Sequence, residues 1–213
     1  MNRDKPFSPR FRLGGAWGIL GGALLALSLA SCAAAGGSDG PNLYRLPDSV
    51  LRHAPVAEAD SVWVRVDAAR QFSGRSIAFE AEPNRYEMTK NNLWADSLTD
   101  MAAAALANRL NDLGARLPGG RSFTSFKGDA KTLCRPRLSV RLEELSSGYD
   151  GNVRLSASAV FFDENCKLAG GESFSIREPL RADGYGAMVE AFGRAFDALA
   201  EQIWRAGFLS KEK

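Results

Sequence analysis

Arg137 to Phe162 reads RLSVRLEELSSGYDGNVRLSASAVFF, and its alternation decides the fold. Side chains of a strand point alternately to its two sides. Leu138, Val140 and Leu142 therefore share one face of a first strand, and Val153, Leu155, Ala157, Ala159 and Phe161 share one face of a second. SSGYDGN between them is dense in turn formers, so the two pair as an antiparallel hairpin. DENCKLAGG is a second turn, followed by a third strand with Phe174 and Ile176 facing in. Working outward, Val62 to Asp67 (VWVRVD) and SIAFEAE, with Ile77, Phe79 and Ala81 on one face, alternate in the same way around the turn-prone QFSGRS. Leu43 to Leu46, ahead of Pro47, is a candidate short first strand.

Two stretches change period. Leu98, Met101, Ala102, Ala105, Leu106, Leu110 and Leu113 fall at steps of three and four, the spacing of one helical face. Ser97 with Asp100 three residues on fits a capping box, and Gly114 is a stop. A second helix is expected from about Tyr185 to Ala206, with Tyr185, Met188, Val189, Phe192, Phe196, Leu199 and Ile203 on its buried side, Asp183 as its cap and Gly207 as its end. The order β-β-α-β-β-β-α predicts an α+β domain: a mostly antiparallel sheet with two main helices packed on one face.

The chain has 213 residues, 27 Lys and Arg against 25 Asp and Glu, three Cys, a single His and 45% hydrophobic residues. This composition gives roughly one domain with a proper core, and excludes a disordered tail and a polytopic membrane protein. The near balance of charge lacks the basic surface by which proteins displace counterions from phosphates, so no nucleic-acid partner is expected.

The N-terminus reads as an address. Arg3, Lys5, Arg10 and Arg12 precede an uncharged run from Leu13 to Ala30, the layout of a secretory signal. It ends in Leu29-Ala30-Ser31-Cys32, which resembles a bacterial lipobox. Only a thiol can form the thioether to diacylglycerol, so Cys32 is the lipidation candidate and residues 1–31 are the signal peptide. One acyl chain anchors marginally, whereas two or three hold essentially permanently. Ala33 stands where an Asp would retain many such lipoproteins at the inner membrane, so by analogy the outer membrane is expected. Residues 32–42 are then the lipidated Cys and a flexible tether, AAAGGSDGPN, with a root-mean-square span of about 17 Å. Residues 43–208 form the single α+β domain and residues 209–213 a tail.

Two cysteines remain. Pairing of the hairpin about residue 148 brings Cys134 opposite residues near 162, within reach of Cys166, and a secreted chain tends to oxidise such a pair. Cys134 and Cys166 are thus a candidate disulfide.

Motifs that carry chemistry are scarce. The sequence has no nucleophile elbow, Walker A loop or zinc-protease helix, and no Cys, His and carboxylate cluster at metal-ligand spacing. His53 sits beside Arg52 in a polar connection, and Gly119-Gly120 and Gly170-Gly171 read as turns. Glu143 and Glu144, as adjacent strand residues, should point to opposite faces and so cannot act together. No catalytic residue, metal or cofactor is assigned, and no enzymatic activity is expected. A polar loop with Arg85 and Tyr86, then Trp94 in the first turn of the helix, supplies residue types common in interface hot spots. Arg85, Tyr86 and Trp94 are the candidate partner interface, with a core staple as the other reading of Trp94.

Taken in order, the lipobox ending at Cys32, Tyr44-Arg45-Leu46-Pro47, Val62 to Asp67, Arg85-Tyr86, Leu93-Trp94-Ala95-Asp96-Ser97-Leu98 and Gly184-Tyr185 resemble the ABC-type transport auxiliary lipoprotein family, the PqiC-like proteins. The resemblance implies an outer-membrane lipoprotein facing the periplasm of a Gram-negative bacterium. It would be a non-enzymatic accessory to an MCE-type lipid transport system, with an MCE-domain protein as partner and self-association into a homo-oligomer. The alternative is a lipoprotein that itself holds lipid or lipopolysaccharide, or assists a β-barrel, which requires an apolar cavity between sheet and helices.

Overall fold

The computed structural model describes residues 40–52, 61–114, 122–127 and 134–207. Leu29, Ala30, Ser31, Cys32, most of the tether, His53, Gly119-Gly120 and the tail lie outside the described residues.

The quoted hairpin is the axis of the sheet. Strand β6 (Arg137–Gly148) pairs with β7 (Asn152–Phe162) from Arg137↔Phe162 to Ser147↔Val153, and β8 (Leu168–Pro179) continues antiparallel on β7. Along its other side β6 takes two strands in succession, both parallel. β2 (Ser61–Ala68) runs beside Arg137 to Leu142, and β3 (Ser76–Glu82) beside Ser147 and Gly148. A short helical turn, Arg70–Phe72, interrupts what is in effect one long edge. Outside these lie β4 (Arg85–Trp94), antiparallel on β3, β1 (Asn42–Tyr44), parallel on the end of β4, and β5 (Ser122–Ser125), parallel on β2.

The sheet has eight strands, most of its paired residues antiparallel, and two helices, α1 (Leu98–Gly114) and α2 (Tyr185–Arg205). That is the expected α+β architecture, with the candidate first strand present as β1, over Asn42–Tyr44, and with β4 and β5 added to the order. Alternation marks the faces of a strand and not its neighbours, so the parallel joins of β2 and β3 to β6 had no sequence signal. Parallel neighbours need a crossover, and α1 supplies the one between β2 and β5.

Helix α1 packs on β2 and β5, α2 packs on β7 and β8, and the helices touch each other. Between them and the sheet, Trp94, Leu110, Leu138, Leu155, Phe192, Phe196 and Leu199 are all within 2% of complete burial. Each such aliphatic or aromatic side chain stabilises by about 1.5–3 kcal/mol relative to exposure. Helix α1 is buried from Met101 to Leu110 without a break, more than one stripe requires, because the chain from Leu46 to Arg52 covers its remaining side. Asn108, fully buried, accepts a hydrogen bond from the Arg52 backbone N–H (3.0 Å) and donates to the carbonyls of Asp48 (2.8 Å) and Val50 (2.7 Å). Arg109 ion-pairs with Asp197 of α2 and donates to the carbonyls of Pro47 (3.3 Å) and Gly193 (3.2 Å). A Cβ on Gly193 would lie 2.9 Å from Pro47, so only glycine lets this strap lie against α2.

The helix starts depart from expectation. Ser97 caps α1 through its hydroxyl to the Asp100 N–H (3.4 Å), but Asp96 and not Asp100 satisfies the Ser97 N–H, and Asp100 turns to Lys127 (2.9 Å). Gly184, at φ 99°, and not Asp183, occupies the cap position of α2. Gly207, at φ 76°, ends that helix as expected.

Candidate functional site

Helices cover one face of the sheet, and around β3 and β4 no described element beyond the Arg70–Phe72 turn covers the other, here called the open face. On it, β3 and β4 form a hairpin around Pro83 and Asn84, the latter left-handed at φ 65°. Arg85 opens β4 and pairs with Glu82 (3.0 Å) and with Glu87. Tyr86 and Met88, two residues apart on the open face, are 41% and 40% exposed. The Tyr86 ring meets Phe72 edge to face at 5.8 Å, above a small apolar cluster of Ala69, Phe72 and Ala78. Its hydroxyl donates to Glu144 Oε1 at 2.9 Å, which also accepts from Ser146 (2.9 Å). Partial burial and the bond to Glu144 raise the Tyr86 pKa above the ordinary phenol value.

Charge ties this hairpin to the rest of the sheet. Glu80, nearly buried, bonds the Asn84 N–H (2.9 Å) and ion-pairs with Arg154, which reaches Asp150 (2.9 Å), and Asp150 also takes Arg177 of β8. Burial alone would raise the Asp150 pKa, but hydrogen bonds from Asn152 and the charges of Arg154 and Arg177 outweigh it and hold the carboxyl below its ordinary value. A Cβ on Gly148 would lie 2.2 Å from Arg154 Nη1, so a larger residue there would displace this guanidinium.

The structure separates the three candidate interface residues. Arg85 and Tyr86 stand on the open surface, in a strand and not in a loop. Trp94 is the last residue of β4 and not part of the helix; it is 2% exposed, with its ring 5.9 Å from Phe192. It belongs to the core and offers nothing to a partner. Glu143 and Glu144 also correct the reading. The register shift between Leu142 and Glu144 inserts one extra residue, so Glu144 sits opposite Ser156 while Glu143 pairs with Arg141 (2.9 Å), both on the open face. A β-bulge turns adjacent side chains to one side, and no pattern of residue types announced it. Sequence reasoning also missed Met88, Glu80 and Arg154, whose placing follows from strand partners.

Cys134 and Cys166 are joined, with Cα atoms 5.1 Å apart. The hairpin turns about residue 150, with Ser147 opposite Val153 and Arg137 opposite Phe162, which carries Cys134 toward the Asp163–Lys167 turn where Cys166 sits left-handed at φ 61°. Among the described residues, no three His, Cys, Asp or Glu side chains are grouped to hold a metal ion.

The family model for the ABC-type transport auxiliary lipoprotein component matches residues 44–204. The chain belongs to this family. It is 25% identical over 185 residues to the Intermembrane transport lipoprotein PqiC of Escherichia coli (strain K12), covering 84% of this chain and 92% of the relative, and equally to PqiC of Shigella flexneri. Among solved structures, the crystal structure of an uncharacterized protein superposes with a TM-score of 0.61 at 20% identity, covering 79% of this chain and 99% of that one. A Xanthomonas campestris protein gives 0.58 at 15% identity, covering 79% and 95%. These two share the fold. The family's matched segment begins at Tyr44, at the end of β1, and ends in α2, so Arg85, Tyr86 and Met88 all lie within it.

Proposed function

We propose that this chain is a non-enzymatic docking subunit of an MCE-type intermembrane lipid transport system. Acyl chains on Cys32 hold it to the outer membrane on the periplasmic side, and several copies associate there. The observation that carries the reading is the pairing, in one chain, of the Leu29-Ala30-Ser31-Cys32 lipobox with an auxiliary-lipoprotein domain over residues 44–204. The name of the Escherichia coli relative, an intermembrane transport lipoprotein, supports it. With a tether about 17 Å in root-mean-square span, the domain stays near its membrane, so transport across the periplasm needs a partner that spans the gap. The open face with Tyr86 and Met88, and Arg85 at the start of the same strand, are the surface offered to that partner.

A role in holding lipid directly calls for an apolar cavity between sheet and helices. That space is occupied by Trp94, Leu110, Phe192 and Phe196. Docking uses a filled core and so fits the packing better.

The test is membrane fractionation and affinity capture with the full chain. Cys32→Ser should release the protein from the outer-membrane fraction, and the wild type should co-purify with an MCE-domain protein. Retention of Cys32→Ser in the membrane would sink the anchoring claim. Stoichiometric lipid on the protein, with no MCE partner captured, would overturn the docking role.

A further inference from the structure

We infer that copies of this chain join edge to edge, the free edge of β8 in one copy pairing with the Arg85–Met88 stretch of β4 in the next. The inference deepens the self-association in the proposed function and rests on it. The sheet has two edges without a strand partner among the described residues. β8 pairs only with β7, and β4 pairs with β3 at Arg85–Met88 and at Leu93, bulging between them, while β1 takes Asn92–Trp94. Such edges present unpaired N–H and C=O groups, and natural proteins blunt them with proline, lysine or bulges. Along β8 the sequence LAGGESFSIREP has no lysine, and its proline comes only at the last residue; β4 carries Lys90 and a bulge beyond Met88, which leaves Arg85–Met88 as its regular edge.

Strand direction makes the two edges complementary. β3 is parallel to β6, β4 antiparallel to β3, and β8, two antiparallel steps from β6, parallel to it. β4 and β8 therefore run in opposite directions. Copies placed side by side, each with its helices on the same side, bring β8 of one against β4 of the next as an antiparallel ladder. The contact is heterologous, so it propagates from copy to copy until the rotation between them closes it.

Side chains select the register. Faces match only at every second residue, because a shift of one turns each side chain to the wrong side. Placing Arg85 opposite Glu178 sets Tyr86 beside Arg177 and Met88 beside Ser175. Tyr86, Met88, Ser175 and Arg177 are all exposed on the open face. A slip of two residues in one direction would instead oppose Glu87 with Glu178, which like charge disfavours.

The experiment uses the full-length chain in detergent. Facing residues in antiparallel strands have Cα atoms about 4.5–5.5 Å apart, within disulfide reach. Met88→Cys combined with Ser175→Cys should, on mild oxidation, give a ladder of covalent multimers that reducing agent dissolves, and neither single variant should. Met88→Glu combined with Ser175→Glu, both at exposed positions, should lower the mass by light scattering from several chains to one, with the circular dichroism unchanged. If light scattering shows several copies but the ladder fails, appears equally in the single variants, or the Glu pair leaves the mass intact, the edges are wrong while self-association stands. A wild-type mass of one chain would overturn both.

Discussion

At one end of β4, Arg85, Tyr86 and Met88 stand in solvent with β3 as their only strand partner among the described residues; at the other, Leu93 and Trp94 lie between β3 and β1. Both ends combine a large aromatic with polar neighbours, and by composition both qualify as interface. The difference comes from what lies alongside. β1, held by the strap over α1 and α2, closes the Trp94 end, whereas nothing described closes the Tyr86 end. Exposure of an aromatic is a property of its strand neighbours, and the one that decides between these two ends, Tyr44 beside Trp94, lies fifty residues away in sequence.

The comparison breaks most sharply at the two aromatics. Trp94→Ala should cost about 3–5 kcal/mol of unfolding free energy, since it empties a core site, whereas Tyr86→Ala should cost about 1 kcal/mol or less. Urea denaturation of both checks this, and equal losses would erase the distinction. A staple remote from both ends gives the next effect. Unreduced, alkylated wild type should show Cys134 and Cys166 protected in mass spectrometry, and replacing both by Ser should cost about 3–4 kcal/mol in the loop-closure account. Asn108→Ala should follow at about 1–3 kcal/mol, because it leaves the Arg52 N–H and two carbonyls of the strap unpaired. Hydrogen exchange should then rise at Tyr44 and Trp94 and not at Tyr86.

The smallest effect is at Tyr86 itself. Its folded pKa is raised, so the unfolded chain ionises first, and the hydroxyl's contribution is full below pH about 10 and lost as pH rises further. The stability difference between wild type and Tyr86→Phe should therefore shrink in alkaline solution. A difference that is flat with pH would show that the bond to Glu144 does not hold the proton.

The hairpin of β6 and β7, the third strand β8, both helices and the inward residues of each were legible because period alone encodes them. Strand β4 was not, since RYEMTKNNLW has its polar residues on both faces, as an edge strand in solvent does. Arg109 and Asn108 were equally silent. Two polar residues in an Ala-rich helix read as its wet side, yet they are buried because the strap, and not water, meets them. Of the surface proposed for docking, Arg85 and Tyr86 could be picked by residue type, but separating them from Trp94 required knowing where β1 and α2 pack.

The strap also fixes how a load would enter the domain. A pull arriving at Gly40 from the N-terminal side runs along β1, whose three pairings with β4 would have to slide together and not open one at a time. Beyond them it meets Pro47 wedged at Gly193 and the side chains of Asn108 and Arg109, so the helix pair takes up the strain. The strand that carries Tyr86 and Met88 is the one β1 grips, so a tug on the tether is also felt, through β4, at the open face.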